Sequence, residues 1–207
     1  MDGSRGFETD TSGRIGPNAI LQTIGILDRY EGRATRDLVM ETAGVSVPPP
    51  DSGMLPERDC AAVHRAVRIC LPDRAEGLLR LSGLATGDYI LKHRIPGPAK
   101  ALIRALPGFL GARLLVSAIS RHAWTFTGTG RFCVTGWHPL TFEVSGNPLI
   151  WGERDVGPLC HWHAAVFERL LSRLVWRSVV VTEVACEAMG AAACRFEVHP
   201  RGMRTVR

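Results

Sequence analysis

The first half of the chain repeats apolar positions with the period of an α-helix. Between residues 17 and 32, Ile20, Ile24 and Leu27 recur at helical spacing, and Gly32 follows as a stop. The same pattern predicts helices over residues 35–43, 56–70, 74–94 and 98–120, the last interrupted near Pro107. Three consecutive prolines exclude a helix from the linker at residues 45–55.

The pattern changes after residue 122. Residues 123–146, AWTFTGTGRFCVTGWHPLTFEVSG, are aromatic, β-branched and punctuated by glycine, which predicts strands joined by tight turns. Pro158 is predicted to start a strong helix, and two further strands are predicted from SVVVTEVAC and CRFEVH. Helices, strands, helix and strands in this order indicate an α+β fold with an antiparallel sheet. We expect a single domain over residues 17–200, with tails at 1–16 and 201–207.

Length and composition narrow the class of protein. The 207 residues suffice for one domain with its own core, and no apolar run approaches the roughly 18 residues that a membrane span needs. The polar first residues lack the apolar region of a secretory signal, which predicts a cytoplasmic protein. Six cysteines in such a chain are expected to be thiols or metal ligands, not disulfides.

Charge is unevenly distributed. Residues 1–60 contain 6 basic and 10 acidic side chains, whereas residues 61–207 contain 19 basic and 10 acidic ones. The basic part favours anionic partners such as nucleic acid, phosphate or a carboxylated ligand, although ordinary solvated faces are the more common explanation of such an excess. Only two of the 25 basic residues are lysine, and arginine suits paired contacts with carboxylates.

Four residues near the C-terminal end form a candidate metal site. Cys160, Glu183, Cys186 and Cys194 offer three thiolates and a carboxylate, enough for a tetrahedral zinc shell. Cys160 follows Pro158 near the start of a predicted helix, whose amides favour a thiolate. The spacing lacks the C-x2-C knuckle of common zinc sites, and buried packing cysteines remain an alternative. In a regular strand Glu183 and Cys186 point to opposite faces, so the site requires the strand to end or bulge after Glu183.

A second candidate cluster is aromatic and contains histidines. On the predicted strands, such side chains could line a pocket for a large flat ligand, with a neutral histidine near a metal or a polar group. The alternative is a sheet face packed on the helices, and core below with pocket above combines the two. The pocket candidates are His122, Trp124, Phe126, Trp137 and His138.

Several common motifs are missing from the sequence. No G-x-G-x-x-G follows a predicted strand, and no G-x-x-x-x-G-K-[ST], H-E-x-x-H or C-x-x-C occurs. We therefore predict no NAD(P), flavin or iron–sulfur site. No helix-turn-helix or interleaved basic and aromatic RNA motif is evident, so nucleic acid is not expected as a partner.

Six segments resemble the vinyl-4-reductase domain family, including its bacteriochlorophyll-biosynthesis members. They occur in the family's order from Arg14 to Pro200: RIGPNAILQT, GDYILKHRIP, HAWTFTGTGRF, NPLI, GPLCHWHAAVFERL and CEAMGAAACRFEVHP. The resemblance implies an α+β fold like that of vesicle-tethering transport-particle subunits and phenol-sensor domains, usually dimeric. It also implies a structural zinc held by Cys160, Glu183, Cys186 and Cys194, with an aromatic pocket nearby.

The function implied by the resemblance is reduction of a vinyl group on a magnesium tetrapyrrole in bacteriochlorophyll biosynthesis. Such a reduction needs an electron donor, normally a cofactor, and a closed four-ligand zinc has no open position for substrate. A tetrapyrrole carrier between pathway enzymes is therefore the alternative, with magnesium chelatase and a methyltransferase as expected partners. A small-aromatic-molecule sensor ranks below both. Peripheral association with the photosynthetic membrane is left open.

Overall fold

A computed structural model describes residues 13–201, in which helices precede and cover an antiparallel sheet. This confirms the predicted α+β class. The helices are α1 (Asn18–Tyr30), α2 (Arg33–Ala43), α3 (Glu57–Cys70), α4 (Ala75–His93), α5 (Gly97–Ala105), α6 (Gly108–Arg121), α7 (Trp124–Thr127) and α8 (His161–Leu174). The strands are β1 (Arg14–Ile15), β2 (Leu55–Pro56), β3 (Arg131–Trp137), β4 (Leu140–Ser145), β5 (Val179–Ala185) and β6 (Cys194–Pro200).

Proline and glycine set the helix boundaries much as the sequence predicts. Helix α1 begins directly after Pro17, and α3 begins directly after Pro56. Helix α2 ends at Gly44, whose φ of 64° is left-handed, and the Gly44 amide closes the last turn on carbonyls of that helix. The predicted helix at 98–120 is two helices, since Leu106 is extended at the interruption before Pro107.

Helix α4 packs against α8 at unusually close range. A Cβ added at Gly83 would lie 2.8 Å from the Cβ of Ala165, and one added at Gly87 would lie 2.6 Å from the Cβ of Arg169. Glycine lowers the intrinsic stability of α4, but the absence of side chains at these two positions lets the two helix backbones approach closely.

The main sheet has the strand order β3-β4-β6-β5, with every neighbouring pair antiparallel. Its inner face packs on α8 through aromatic side chains: the rings of Phe142 and Phe196 lie 5.0 and 5.5 Å from the ring of Phe167. These contacts fix α8 against the inner face of the sheet.

One predicted strand is wrong. Residues 124–127 form the helical turn α7, so Trp124 and Phe126 do not share a strand face. The hydroxyl of Thr127 donates to the carbonyl of Ala123, a local bond that competes with strand pairing. Gly128, with a φ of 56°, ends the turn, and the strand begins only at Arg131.

Two predicted boundaries also differ. Helix α8 begins at His161, three residues after Pro158, with Cys160 as its N-cap. Arg14 and Ile15, which the prediction assigned to the N-terminal tail, pair with β2, and Ile15 is buried. Residues 1–12 and 202–207, which make up most of the predicted tails, lie outside the described residues.

Candidate metal centre and ligand groove

Four side chains from separate elements meet at the end of the sheet. Cys160 lies at the N-cap of α8, Glu183 in β5, Cys186 just after β5 and Cys194 at the start of β6. One donor atom from each of the four lies within 4.8 Å of all the others. The three cysteines are fully or almost fully buried. The structure thus brings together all four residues that the sequence singled out as metal ligands.

A bulge in β5 makes this convergence possible. The register of β5 with β6 shifts between Glu183 and Ala185, so one extra residue lies between them. The chain then leaves the strand at Cys186 and enters a short 3-10 turn that Gly190 ends with a φ of 90°. The geometric requirement stated for Glu183 and Cys186 is met by this shift.

The sulfur separations suit a tetrahedral metal. Cys160 Sγ lies 3.3 Å from Cys194 Sγ and 3.9 Å from Cys186 Sγ, and the remaining pair is 4.0 Å apart. A zinc ion with bonds of about 2.3 Å to each sulfur sets neighbouring sulfurs roughly 3.8 Å apart. Disulfide bonds are far shorter, at about 2.05 Å, and all three cysteines are free.

The carboxylate of Glu183 supplies the fourth donor. Its Oε2 accepts a hydrogen bond of 2.7 Å from the backbone amide of Cys160. Its Oε1 is buried and has no hydrogen-bond partner among the described residues. A buried carboxylate oxygen without a partner is costly, and a metal ion bound there would remove that cost. The four residues therefore fit a metal ion.

Asn147 supports the site from outside the donor set. Its side-chain amide donates to Cys160 Sγ at 3.1 Å and approaches Cys194 Sγ at 3.7 Å, while its Oδ1 accepts from the Leu149 amide. Hydrogen bonds to sulfur stabilise the thiolate form. Sequence reasoning missed this role, although the Asn-Pro step of NPLI is typical of a turn that would fix the side chain.

The pKa shifts differ among the cysteines of the cluster. We expected the start of α8 to favour a Cys160 thiolate, but burial raises the pKa of Cys160 well above its ordinary value. Hydrogen bonds from Cys160 and Cys194 instead lower the pKa of Cys186. Burial raises the pKa of Glu183 to about 8. Metal binding would therefore displace protons from this cluster.

The five pocket candidates do not converge on one enclosed pocket. Phe126 packs into the core, with its ring 5.8 Å from that of Phe167. His122, Trp124, Trp137 and His138 are exposed, in α6, α7 and β3 or directly beside them. Of the five, Trp137 lines a cavity, which is an open groove between α6 and β3.

This groove, of about 550 Å³, combines apolar and cationic side chains. Val116 and Val134 contribute apolar surface, and Trp137 contributes a flat aromatic ring. The guanidinium of Arg113 lies 4.7 Å from the centre of that ring. The other lining residues are Ser117, Ser120 and Arg121.

Next to the groove, the core is filled. Phe126, Phe132 and Phe142 pack with Phe167 at ring separations between 5.0 and 5.9 Å. His163 lies among them, and burial lowers its pKa to about 4, so it is neutral at physiological pH.

Comparison with known proteins identifies the family. The vinyl-4-reductase domain matches residues 140–200, which include all four candidate metal ligands and Asn147. The bacteriochlorophyll synthase 23 kDa chain of Rhodobacter capsulatus is 60% identical over 205 residues, which cover 99% of this chain and 96% of that protein. The chain belongs to the family of bacteriochlorophyll synthase 23 kDa chains. The Cereibacter sphaeroides protein of that name is 57% identical over 189 residues, covering 91% of this chain and 92% of the relative.

Some solved structures share the fold of this 23 kDa-chain family member at low sequence identity. An H-NOX protein, from a study of heme distortion in that family, superimposes with a TM-score of 0.57 at 11% sequence identity. The match covers 90% of this chain and 95% of the H-NOX chain. The phenol-responsive sensory domain of the activator PoxR gives 0.51 at 15% identity, covering 80% and 90%. The expected likeness to phenol-sensor domains is thus confirmed for the fold.

Proposed function

We propose that this protein binds a magnesium tetrapyrrole intermediate of bacteriochlorophyll synthesis in the groove between α6 and β3. The groove itself carries the proposal, because it pairs an exposed flat ring, Trp137, with two arginines, Arg113 and Arg121. A tetrapyrrole offers the complementary surfaces, a broad apolar macrocycle and peripheral carboxylates. Ligand sites of roughly 300–1,000 Å³ with apolar walls and few polar anchors are typical of such molecules.

The comparisons support the choice of ligand. Both relatives are named for bacteriochlorophyll synthesis, and the fold is shared with a family studied for its heme. In the groove, Arg113 and Arg121 would bind carboxylates through paired hydrogen bonds. His122 and His138, each next to a groove residue in the chain, are the candidates for contact with the magnesium.

We assign zinc to the cluster of three cysteines and Glu183, with a structural role. Soft thiolates select zinc over magnesium or calcium, and four protein donors complete its tetrahedral shell. The ion would hold the start of α8 against the ends of β5 and β6, and so maintain the sheet that supports the groove.

Carriage of the pigment between enzymes is the activity that the groove supports best. The groove is open along α6, so a bound macrocycle would remain accessible to donor and acceptor enzymes such as magnesium chelatase and a methyltransferase. The family resemblance also implies reduction of a vinyl group, with an external electron donor, and a homodimer. A titration with the pigment, followed by NADPH, separates carriage from reduction.

The test is an absorbance and fluorescence titration of the purified protein with a divinyl magnesium tetrapyrrole, followed by NADPH. We expect a saturable shift of the Soret band with no further change. Trp137→Ala should weaken binding about tenfold or more, since stacking on an aromatic ring is worth ~1–3 kcal/mol. Trp151→Ala, at an exposed tryptophan outside the groove, is the matched control and should bind normally.

Loss of the vinyl group on NADPH addition would show an enzyme and would contradict simple carriage. Failure of the wild-type protein to shift the Soret band would overturn the proposal. Equal weakening by Trp137→Ala and Trp151→Ala would place the ligand outside the groove.

A further inference from the structure

Helices α5 and α6 form a hairpin that exposes a cluster of large apolar side chains. Leu102 of α5 is 55% exposed, and Phe109, Leu110 and Leu114 of α6 are 64%, 40% and 39% exposed. We call these four residues the hairpin apolar surface. An exposed apolar cluster on a monomer marks an interaction site.

The packing of the hairpin keeps these side chains outside. In α6, Gly111, Ala112, Leu115 and Val116 face the protein, which leaves the opposite side of the helix to solvent. A Cβ at Gly111 would lie 2.9 Å from the carbonyl oxygen of Ile103, so α5 and α6 are in close backbone contact. The apolar surface cannot turn inward without separating the two helices.

The stretch of sequence that contains the hairpin carries charge of one sign. Residues 89–142 contain no aspartate or glutamate and seven lysines and arginines: Lys92, Arg94, Lys100, Arg104, Arg113, Arg121 and Arg131. None of the seven forms an ion pair with a carboxylate of residues 13–201. Lys100 and Arg104 donate to backbone carbonyls, of Leu91 and Arg173, which leaves their charge uncompensated.

We propose that the α5–α6 hairpin docks the protein on the surface of a bilayer that contains anionic lipid. The apolar side chains would enter the boundary between headgroups and acyl chains, while the cations bind lipid phosphates. No helix in residues 13–201 is long and apolar enough to cross a membrane. A second copy of the chain is a poor occupant, because a two-fold contact would place the same cations opposite each other.

Docking through the hairpin is independent of the proposed function, but it would determine where the groove lies relative to the bilayer. Arg113 and Arg121 belong to α6 and also line the groove. A protein docked through α5 and α6 would therefore hold the groove at the edge of the bilayer, where an apolar ligand could move between lipid and protein.

The experiment is co-sedimentation of the purified protein with pigment-free vesicles, of phosphatidylcholine alone or with added phosphatidylglycerol. We expect binding to the anionic vesicles only, reversed by high salt. Phe109→Ser should reduce binding several-fold. Arg104→Gln, at an exposed cation of α5, should reduce it about fivefold, the factor expected for one cation near an anionic surface.

Two controls carry comparable changes outside the hairpin. Ile69→Ser alters a side chain of α3 that is 63% exposed, and Arg33→Gln alters an exposed cation of α2. Both should bind like the wild type. Equal binding to neutral and anionic vesicles, or equal loss in Ile69→Ser and Phe109→Ser, would overturn the proposal. An absence of vesicle binding by the wild type would also overturn it. A dimer that Phe109→Ser converts to a monomer in ultracentrifugation would then identify the hairpin apolar surface as a contact between two copies of the chain.

Discussion

At the scale of single residues, Asn147 shows how the cluster tolerates negative charge in a buried place. Its amide contacts Cys160 Sγ, and its own backbone amide donates to Glu187 at 2.9 Å. The neighbouring Gly146 amide also donates to Glu187, at 2.7 Å. The loop that presents Asn147 is therefore fastened to the segment between Cys186 and Cys194. Support of this kind orients thiolates before a metal arrives.

Replacing a single sulfur by oxygen tests the site. We expect Cys186→Ser to lose about one zinc per chain and to lower the free energy of unfolding by about 3 kcal/mol, the contribution of a ligand present at roughly 100 times its dissociation constant. Cys133→Ser, at an exposed cysteine, is the matched control. Metal analysis and denaturant unfolding give both readings. A wild-type protein that is purified metal-free and is as stable as Cys186→Ser would show a packing cluster only.

At the scale of elements, the contact of α4 with α8 depends on residues without side chains. Gly83 and Gly87 lie one turn apart on α4, both facing α8. Glu168 of α8 accepts a hydrogen bond from the Val181 amide of β5, so α8 is also fixed to the sheet. A change in the spacing of α4 and α8 would therefore reach the strand that holds Glu183.

An alanine at each of two glycines of α4 separates packing from helix propensity. Gly83→Ala should destabilise the protein by ~1–3 kcal/mol, because its Cβ would meet the backbone and Ala165 of α8. Gly77→Ala, with nothing within 4 Å of the added Cβ, should be neutral or stabilising by up to about 1 kcal/mol. Thermal or denaturant unfolding of the two variants tests this. Equal effects would mean that α4 and α8 can separate freely.

The sequence predicts most elements because their signals are local. Pro17, Pro56 and Gly44 mark helix ends through backbone geometry alone. The stretch at residues 124–127 failed because its aromatic and β-branched composition favours a strand, whereas side-chain hydrogen bonds of threonines close a helical turn.

The candidate metal ligands were recognisable because residue type and spacing suffice for a donor set. The groove was only partly recognisable. The aromatic composition of its segment marks Trp137 as a candidate. Arg113 and Arg121 come from a separate helix, and only tertiary packing places them beside β3. The pairing of Asn147 with the thiols is likewise a tertiary fact.

At the scale of the whole molecule, buried neutral histidines couple stability to pH. His64 is buried between α1 and α8: its Nε2 lies 3.0 Å from the Ala19 carbonyl oxygen, and its ring contacts Trp162 edge to face. Burial lowers the pKa of His64 from 6.5 to about 3. The folded state thus keeps this histidine neutral where the unfolded chain would protonate it.

The sign of the pH dependence follows from this lowered pKa. Stability is fully present above pH 6.5 and is lost as the pH falls from 6.5 toward 3, since unfolding then takes up a proton. We expect one such histidine to contribute a slope of up to about 1.4 kcal/mol per pH unit. His64→Gln should show a shallower slope in unfolding experiments across this window. Equal slopes would contradict the assignment, because all other groups are common to both proteins.

Glu183 accepts a hydrogen bond from the Cys160 amide and is also one of the four candidate metal ligands, so a single carboxylate joins that cluster to the beginning of α8. Without a bound ion, partial burial raises the pKa of that carboxylate to about 8, and a protonated Glu183 is a weaker acceptor for the amide. Hydrogen–deuterium exchange in the first turn of α8 would then report metal occupancy. The order of the first turn of α8 would therefore depend on whether zinc is bound.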